Sequence, residues 1–463
     1  MFDLIVRGKD GFERVLNYNP HSSLLIWKDT GEKVKLDSVG MDYRETTATA
    51  EEYFPLCPTN PAGKTRSPKR LKIQMGLKCN FDCEYCNQAS QPDSVNGNPK
   101  LVEKFLEHLD SWLIGEPDKI ELWGGEPLVY WKSLKPLAIG LRAKFPNTNL
   151  MMITNGSLLD EEKIKFIEEV DISVGISHDG PGQYIRGPDP LNSKSLPFIK
   201  ELYQRRFPVG KISFNCVLTK NNVVISDIRQ YIAKQLDINE FDVNLSTEEL
   251  FTPYEESVVH LGPIGKEENH DVMHKIFWES VIKGSLPTVH NKLQGFFSSI
   301  ASGKKSITLG QKCSMDSPTN LAIDLYGNVL TCQNTSADDP KHLIGNIDDF
   351  DNIKLNSSTH WSQRKECPKC PVLHLCVGSC MFTHDELWTA GCNSSFTYNL
   401  ALFASAIYYL TSYVLVKIEG ADIRGRGINS VDVINIEEID SGKIWDRFNK
   451  KEPARIIPIS VIS

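Results

Sequence analysis

The sequence predicts an α/β fold: a partial (β/α)6 barrel flanked by a small β-rich N-terminal module and a cysteine-rich C-terminal domain. Three observations predict it. From Leu71 to about Glu249, six apolar runs alternate with stretches of helical periodicity. Repeated strand–helix units of that kind form a parallel sheet with right-handed crossovers, open or barrelled. The residues least expected of a core (cysteines, paired glycines, Glu126, His178, Asp179) fall where those strands end, and ligands of such folds bind at the carboxyl ends of the strands. Most of the twelve cysteines of the 463-residue chain gather in two constellations.

Length sets a prior of two to four domains. A formal net charge of −8 offers no global basic field, so nucleic acid is not an expected partner. The N-terminus has an acid at its third position and no long apolar core, so no signal peptide is expected. Abundant cysteine without an export signal implies a reducing cytoplasm, where thiols serve metal centres rather than disulfides. Phe396 to Val416 is apolar enough to consider as membrane-spanning, but it contains Asn399, Ser405, Thr411 and Ser412. It reads as a buried capping helix, and no membrane association is expected.

Taken in order, residues 1–69 show short strand-like runs at Phe2–Val6, Leu24–Trp27 and Lys33–Leu36, then a Pro-rich linker, Pro55 to Lys69, that contains Cys57. Such a module suits strand addition by an extended peptide or a plain structural brace. Residues 70–250 are the barrel, with helices expected at Lys100–Ile114, Trp131–Lys144, Asp160–Val170, Ser195–Arg206 and Val224–Leu236. Residues 251–312 form a bridge in which His270 and His274, spaced i, i+4, read as surface histidines for want of a third ligand nearby. Residues 313–395 hold the second cysteine constellation. Residues 396–463 are the capping helix and an irregular tail.

Within the barrel, the strand from Leu71 runs into Cys79, Cys83 and Cys86, separated by three and then two residues. Three thiolates in one loop suit three irons of a four-iron cluster whose fourth iron stays open; ferredoxin runs use other spacings and four cysteines. Zinc prefers paired knuckles with four filled positions, and plain structural thiols are the remaining alternative.

This triplet, with aromatic Tyr85 before its last cysteine, resembles that of the radical S-adenosylmethionine superfamily. The resemblance implies that the amino and carboxylate groups of S-adenosylmethionine chelate the open iron. It further implies that one electron from the cluster releases a 5′-deoxyadenosyl radical, which abstracts hydrogen from substrate. The cofactor carries that chemistry and the protein supplies orientation. Gly124-Gly125-Glu126-Pro127, ending the second strand, resembles the motif for the methionine amino group: two glycines permit close backbone approach and Glu126 accepts from an ammonium. Ser177 and Arg186 resemble the residues that hold ribose and carboxylate. Thr154 and Asn155 end the third strand, and Asn215 of the fifth points into the same site by alternation. Neighbouring Cys216 faces the helices as a core thiol.

The second constellation runs Cys313, Gly327, Cys332, Cys367, Cys370, Cys376, Cys380 and Cys392. It resembles the SPASM extension of the same superfamily, which carries two auxiliary clusters. By that resemblance Cys367, Cys370, Cys376 and Cys392 fill one cluster. Cys313, Cys332 and Cys380 ligate the other, one ligand short, the gap left to an exogenous group, a substrate thiolate, Asp316 or Cys57. Three 4Fe-4S clusters and S-adenosylmethionine are therefore the implied cofactors. A zinc-knuckle domain is the alternative reading of the same thiols.

Members of this branch mostly modify peptides or proteins. In sulfatase-maturing relatives an acid follows the glycine-linked cysteine and takes a proton; here that position is Gln333, which cannot act as a base. The expectation is therefore a maturase of a ribosomally made precursor peptide, forming a carbon–carbon or thioether cross-link. Its electrons would come from an external one-electron reductant of flavodoxin or ferredoxin type. Oxidation of a protein Cys or Ser to an aldehyde and a non-catalytic electron carrier are the alternatives. Asp316, Asp324 and Tyr326 are candidate catalytic residues only by their nearness in sequence to the cluster cysteines.

Overall fold

The computed structural model describes residues 1–36, 60–92, 98–283, 287–439 and 441–446, so Cys57 lies outside the described residues. Two sheets organise the chain. Strands β1 (Phe2–Arg7), β2 (Glu13–Asn19) and β3 (Leu24–Trp27) open it; the expected strand at Lys33–Leu36 contributes only an isolated bridge between Lys33 and Ile26. After the short β4 (Ala62–Gly63), strands and helices alternate. They are β5 (Arg70–Gln74), α1 (Pro99–Trp112), β6 (Lys119–Trp123), α2 (Trp131–Lys144), β7 (Asn149–Thr154), α3 (Glu161–Glu169), β8 (Ser173–Ser177), α4 (Leu196–Arg206), β9 (Ile212–Leu218), α5 (Ile225–Leu236) and β10 (Leu245–Leu250). Helices α6 (Gly265–Trp278) and α7 (Pro287–Ser302) form the bridge.

Strands β5 to β10 lie in chain order and run parallel, and the sheet continues from β5 into β11 (Asn320–Asp324), β12 (Asn328–Leu330) and β13 (Leu343–Asn346). This is an open, partial barrel whose first strand is shared with the cysteine-rich region, because β11 pairs in parallel with β5. Alternation explains both faces. Leu71, Ile73, Ile120, Leu122, Leu150, Met152, Val174, Ile176, Ile212 and Phe214 are buried beneath the helices, while the intervening residues line a more polar and accessible lumen. Gly175 is required by close approach: a Cβ there would sit 2.3 Å from Asn215 Nδ2.

Beyond the barrel come β14 (Lys354–Leu355), α8 (Leu373–Cys376), α9 (Asp385–Thr411), β15 (Val414–Ile423), β16 (Ile428–Asp432) and α10 (Ser441–Asp446). The capping helix thus begins eleven residues before Phe396, carries Cys392 on its own length, and stops at Thr411. Val414 onward is a strand rather than helix or irregular tail. β15 lies between β16 and β1 in an antiparallel sheet ordered β16-β15-β1-β2-β3, so the two ends of the chain complete each other. Tyr18 of that sheet packs on Phe403 of α9 and Phe296 of α7 at ring distances of 5.2 and 6.2 Å. No helix among the described residues is long and apolar enough to cross a membrane.

Candidate active site and cysteine clusters

The loop leaving β5 carries Cys79, Cys83 and Cys86 to the carboxyl end of the sheet. The thiols share one field: burial pushes Cys83 up to about 11, with Cys86 and Cys79 adding to the shift. The glycine motif after β6 is laced to this loop. Gly125 N–H donates to Gly76 O at 3.1 Å and Glu126 N–H to Lys78 O at 3.0 Å. A Cβ at Gly125 would meet the Leu77 and Lys78 carbonyl oxygens at 2.4 Å, so only glycine fits.

The other residues anticipated for S-adenosylmethionine converge here. Glu126 is buried and accepts from Leu128 N–H (3.0 Å), Thr154 Oγ1 (2.7 Å) and Asn155 N–H (2.7 Å). A carboxylate has about four lone-pair directions, so three protein donors leave one for a ligand ammonium. Thr154 and Asn155 therefore position Glu126, and Asn155 Nδ2 also donates to Asn80 Oδ1 of the cysteine loop at 2.9 Å. Ser177 and Asn215 lie side by side in register at the ends of β8 and β9. Arg186 Nη1 donates to Tyr85 Oη at 2.8 Å, and that hydroxyl is hydrogen-bonded to buried Asp179. Tyr85 is thus a brace between the loop and β8. The buried Nε of Arg186 has no acceptor among the described residues, and its charge lies within the field of Cys83. Arg186 Nη1 also lies 3.7 Å from Asp179 Oδ1, so the guanidinium is part-neutralised within the protein and its free Nε–H is the donor left for an acceptor such as a carboxylate oxygen.

The barrel lumen joins this site to the second constellation. The loop after Cys332 lies across it. Lys72 Nζ donates to Gln333 Oε1 (3.0 Å), Gln74 Nε2 to the carbonyls of Gln333 (2.7 Å) and Thr335 (2.9 Å), and Trp123 Nε1 to Asn334 Oδ1 (2.9 Å). From beyond Cys86, Gln88 reaches Asn334 at 3.0 Å and Gln91 accepts from Ser336 N–H at 3.0 Å. The first cysteine loop and the Cys332 loop are therefore in direct contact.

The seven later cysteines separate into two groups. Cys367, Cys370, Cys376 and Cys392 line one small cavity. Burial pushes Cys370 up to about 12 and Cys376 to about 11, with their neighbours in the set contributing. Burial likewise pushes Cys313 up to about 12, with Cys332 and Cys380 adding. Thiols shifted this way stay protonated unless a metal displaces the protons, as it does on binding thiolate ligands. The set of four suits zinc or a four-iron cluster equally by ligand type.

Sequence reading missed several residues of these sites. Tyr254, beyond β10 in the bridge, is hydrogen-bonded to Cys380 and close to Cys332; nothing in its sequence context marks it. Arg424, in the tail, donates from Nη2 to Cys392 Sγ at 2.9 Å. Glu438 is the third group that His270 and His274 lacked, at 3.5 and 3.6 Å. However, His274 Nε2 accepts from Asn435 N–H at 3.0 Å. Its ring proton therefore sits on Nδ1 facing Glu438, which makes the trio a clamp on the tail rather than a metal site.

The three candidate catalytic residues separate. Asp316 is buried beside Cys313, accepts from Gln311 N–H at 3.0 Å and lies 3.8 Å from His360 Nε2. Asp324 holds the β11–β12 turn, accepting from Tyr326 N–H, Asn328 N–H and Asn328 Nδ2 at 2.8–2.9 Å. Tyr326 is 47% exposed. Asp324 and Tyr326 line a small cleft with Gln74, Ser336 and Asp338.

Residues 73–228 match the Radical SAM superfamily model. A cysteine-type anaerobic sulfatase-maturating enzyme of Clostridium perfringens is 25% identical over 335 residues, spanning 66% of this chain and 87% of the relative. A radical SAM cyclopropyl synthase of Paramaledivibacter caminithermalis is 22% identical over 354 residues, 68% of each chain. The solved structure of anSMEcpe with bound AdoMet and the Cp18Cys peptide shares the fold at a TM-score of 0.52 and 21% identity, over 74% of this chain and 99% of that one.

Proposed function

On the premise that this chain is a radical SAM enzyme, we propose that it matures a ribosomally made peptide by forming a carbon–carbon or thioether cross-link between side chains. Cys79, Cys83 and Cys86 would hold the 4Fe-4S cluster that binds S-adenosylmethionine. Gly124, Gly125 and Glu126 would meet its ammonium, Arg186 its carboxylate, and Ser177 and Asn215 its ribose. When bound, these groups supply a 5′-deoxyadenosyl radical, and two auxiliary 4Fe-4S clusters supply a sink for the surplus electron. The protein's share is placement: Glu126 is fixed by three donors, Tyr85 and Asp179 aim Arg186, and the lumen presents the reacting carbon.

One observation carries this reading. The loop bearing Cys332 lies in the lumen and touches the first cysteine loop through Gln88 and Gln91, so a peptide held there meets both centres. An oxidative reaction without an outside oxidant needs that juxtaposition. A bond between two side chains removes two hydrogens, one as an atom to the deoxyadenosyl carbon, the other as a proton whose electron must leave.

A second reading, oxidation of a protein Cys or Ser to an aldehyde, is favoured by the sulfatase-maturating relative, most of whose length this chain covers. Gln333 weighs against it, since its carbonyl oxygen is held by Lys72 and an amide is no base at neutral pH. Peptides encoded beside the gene, incubated anaerobically with enzyme, S-adenosylmethionine and a flavodoxin, separate the two by mass spectrometry. A two-hydrogen loss with fragments missing between two residues supports the cross-link. A product that reacts with a hydrazide probe establishes the aldehyde and overturns it.

A further inference from the structure

The turn that follows β15 is built to deliver one side chain. Asp422 and Arg424 both take left-handed backbone conformations, with φ of 51° and 58°, costly for residues with a Cβ and usual only where surroundings enforce them. The enforcement is visible. Arg424 N–H donates to Lys369 O at 2.9 Å, Lys369 Nζ to Asp422 Oδ2 at 2.6 Å, and Gly427 N–H to Asp422 Oδ1 at 2.7 Å. The tail is thereby fastened to the turn between Cys367 and Cys370, and β15 itself is anchored between β16 and β1 in the terminal sheet.

The side chain so delivered is 7% exposed and lines the cavity of the four cysteines. Its Nη2 reaches Cys392 Sγ at 2.9 Å and Asn393 Oδ1 at 3.0 Å, and its guanidinium sits 4.3 Å over the Phe396 ring. Its Nε is buried without an acceptor, and no carboxylate pairs with it among the described residues; nearby Glu366 lies 3.8 Å from Arg426 instead. A buried guanidinium without a carboxylate requires another anion. The thiolates of a metal-loaded set are that anion. A cation that also hydrogen-bonds a ligand sulfur stabilises the reduced, more negative state of an iron–sulfur centre.

We propose that Arg424 raises the reduction potential of the centre held by Cys367, Cys370, Cys376 and Cys392, making it the electron acceptor of the protein. The inference rests on those four thiols binding a 4Fe-4S cluster. Arg424 acts through Cys392, so it is a positioning and tuning residue and does not touch substrate.

The test is an EPR-monitored redox titration of the anaerobically reconstituted full chain with dithionite and mediators, following the signal that a Cys367→Ser variant lacks. Arg424→Gln shifts that midpoint downward with iron and sulfide content unchanged. Arg424→Lys, which keeps the charge and loses the planar fork, gives a smaller downward shift. Unchanged midpoints at full iron content overturn the proposal. So does loss of that cluster from both variants, which makes Arg424 a brace. A wild-type protein holding zinc at these four cysteines overturns the cluster reading itself, a result distinguishable from either.

Discussion

Lys64 is a lysine whose work is done entirely on backbone. Its Nζ donates to the carbonyls of Met315 (2.7 Å), Asn320 (2.8 Å) and Ser317 (3.1 Å), pinning the irregular loop that begins at Cys313. Lys64→Met removes all three bonds while keeping most of the stem. Charge-assisted bonds contribute roughly 1.5–3 kcal/mol each. Against them stands desolvation, which displaces the ammonium from the ordinary 10.5 to about 8 despite Asp316 and Cys313 nearby, equivalent to about 3.4 kcal/mol. The net loss is then roughly 1–6 kcal/mol, felt first as local opening of the loop. Backbone hydrogen exchange over residues 313–320 should lose about fivefold or more of its protection, and the reconstituted variant should fall short by about four irons per chain. The wild-type loop should also gain stability between pH 8 and 10.5. The unfolded lysine binds a proton there that the folded one has released, and the variant lacks that slope. Unaltered protection together with full iron content would refute the reasoning.

Three further outcomes follow from the geometry. Gly125→Ala places a methyl 2.4 Å from two carbonyl oxygens that cannot rotate away, a cost of about 1–3 kcal/mol or more; iron analysis and cluster absorbance should show the first centre lost and the auxiliary ones kept. Arg186→Ala removes a buried charged donor, so equilibrium dialysis should find S-adenosylmethionine bound roughly 10- to 150-fold more weakly, with iron unchanged. His274, lowered to about 4 by burial and the adjacent His270, is neutral in the fold and charged in the unfolded chain between pH 4 and 6.5. Acidification through that window should destabilise the wild type by up to about 3 kcal/mol, and His274→Asn should flatten the thermal midpoint against pH.

The barrel was legible because its strands carry apolar residues at every second position, as at Leu71 and Ile73 of β5, where Lys72 and Gln74 intervene. The helix Trp131–Lys144 has the bounds its periodicity implies. The terminal sheet was not legible, because β1 pairs with β15 some four hundred residues later, and pairing partners leave no local mark. The same distance hid Arg424 and Glu438, which contact Cys392 and His274 from the tail. The grouping of the later cysteines into sets of four and three came from resemblance, and the cavity holding Cys367, Cys370, Cys376 and Cys392 has that membership. Asp324 could not be told from a catalytic acid by position; its three donors show a turn residue.

The central claim is radical chemistry at Cys79, Cys83 and Cys86, directed to a peptide. Anaerobic incubation of iron-replete protein with S-adenosylmethionine, a reductant and peptides encoded beside its gene tests it most directly. The account predicts 5′-deoxyadenosine formed in step with a peptide two hydrogens lighter, both abolished by Cys83→Ala. An iron-replete protein that yields neither product, or a Cys83→Ala variant that still converts the peptide, would contradict it.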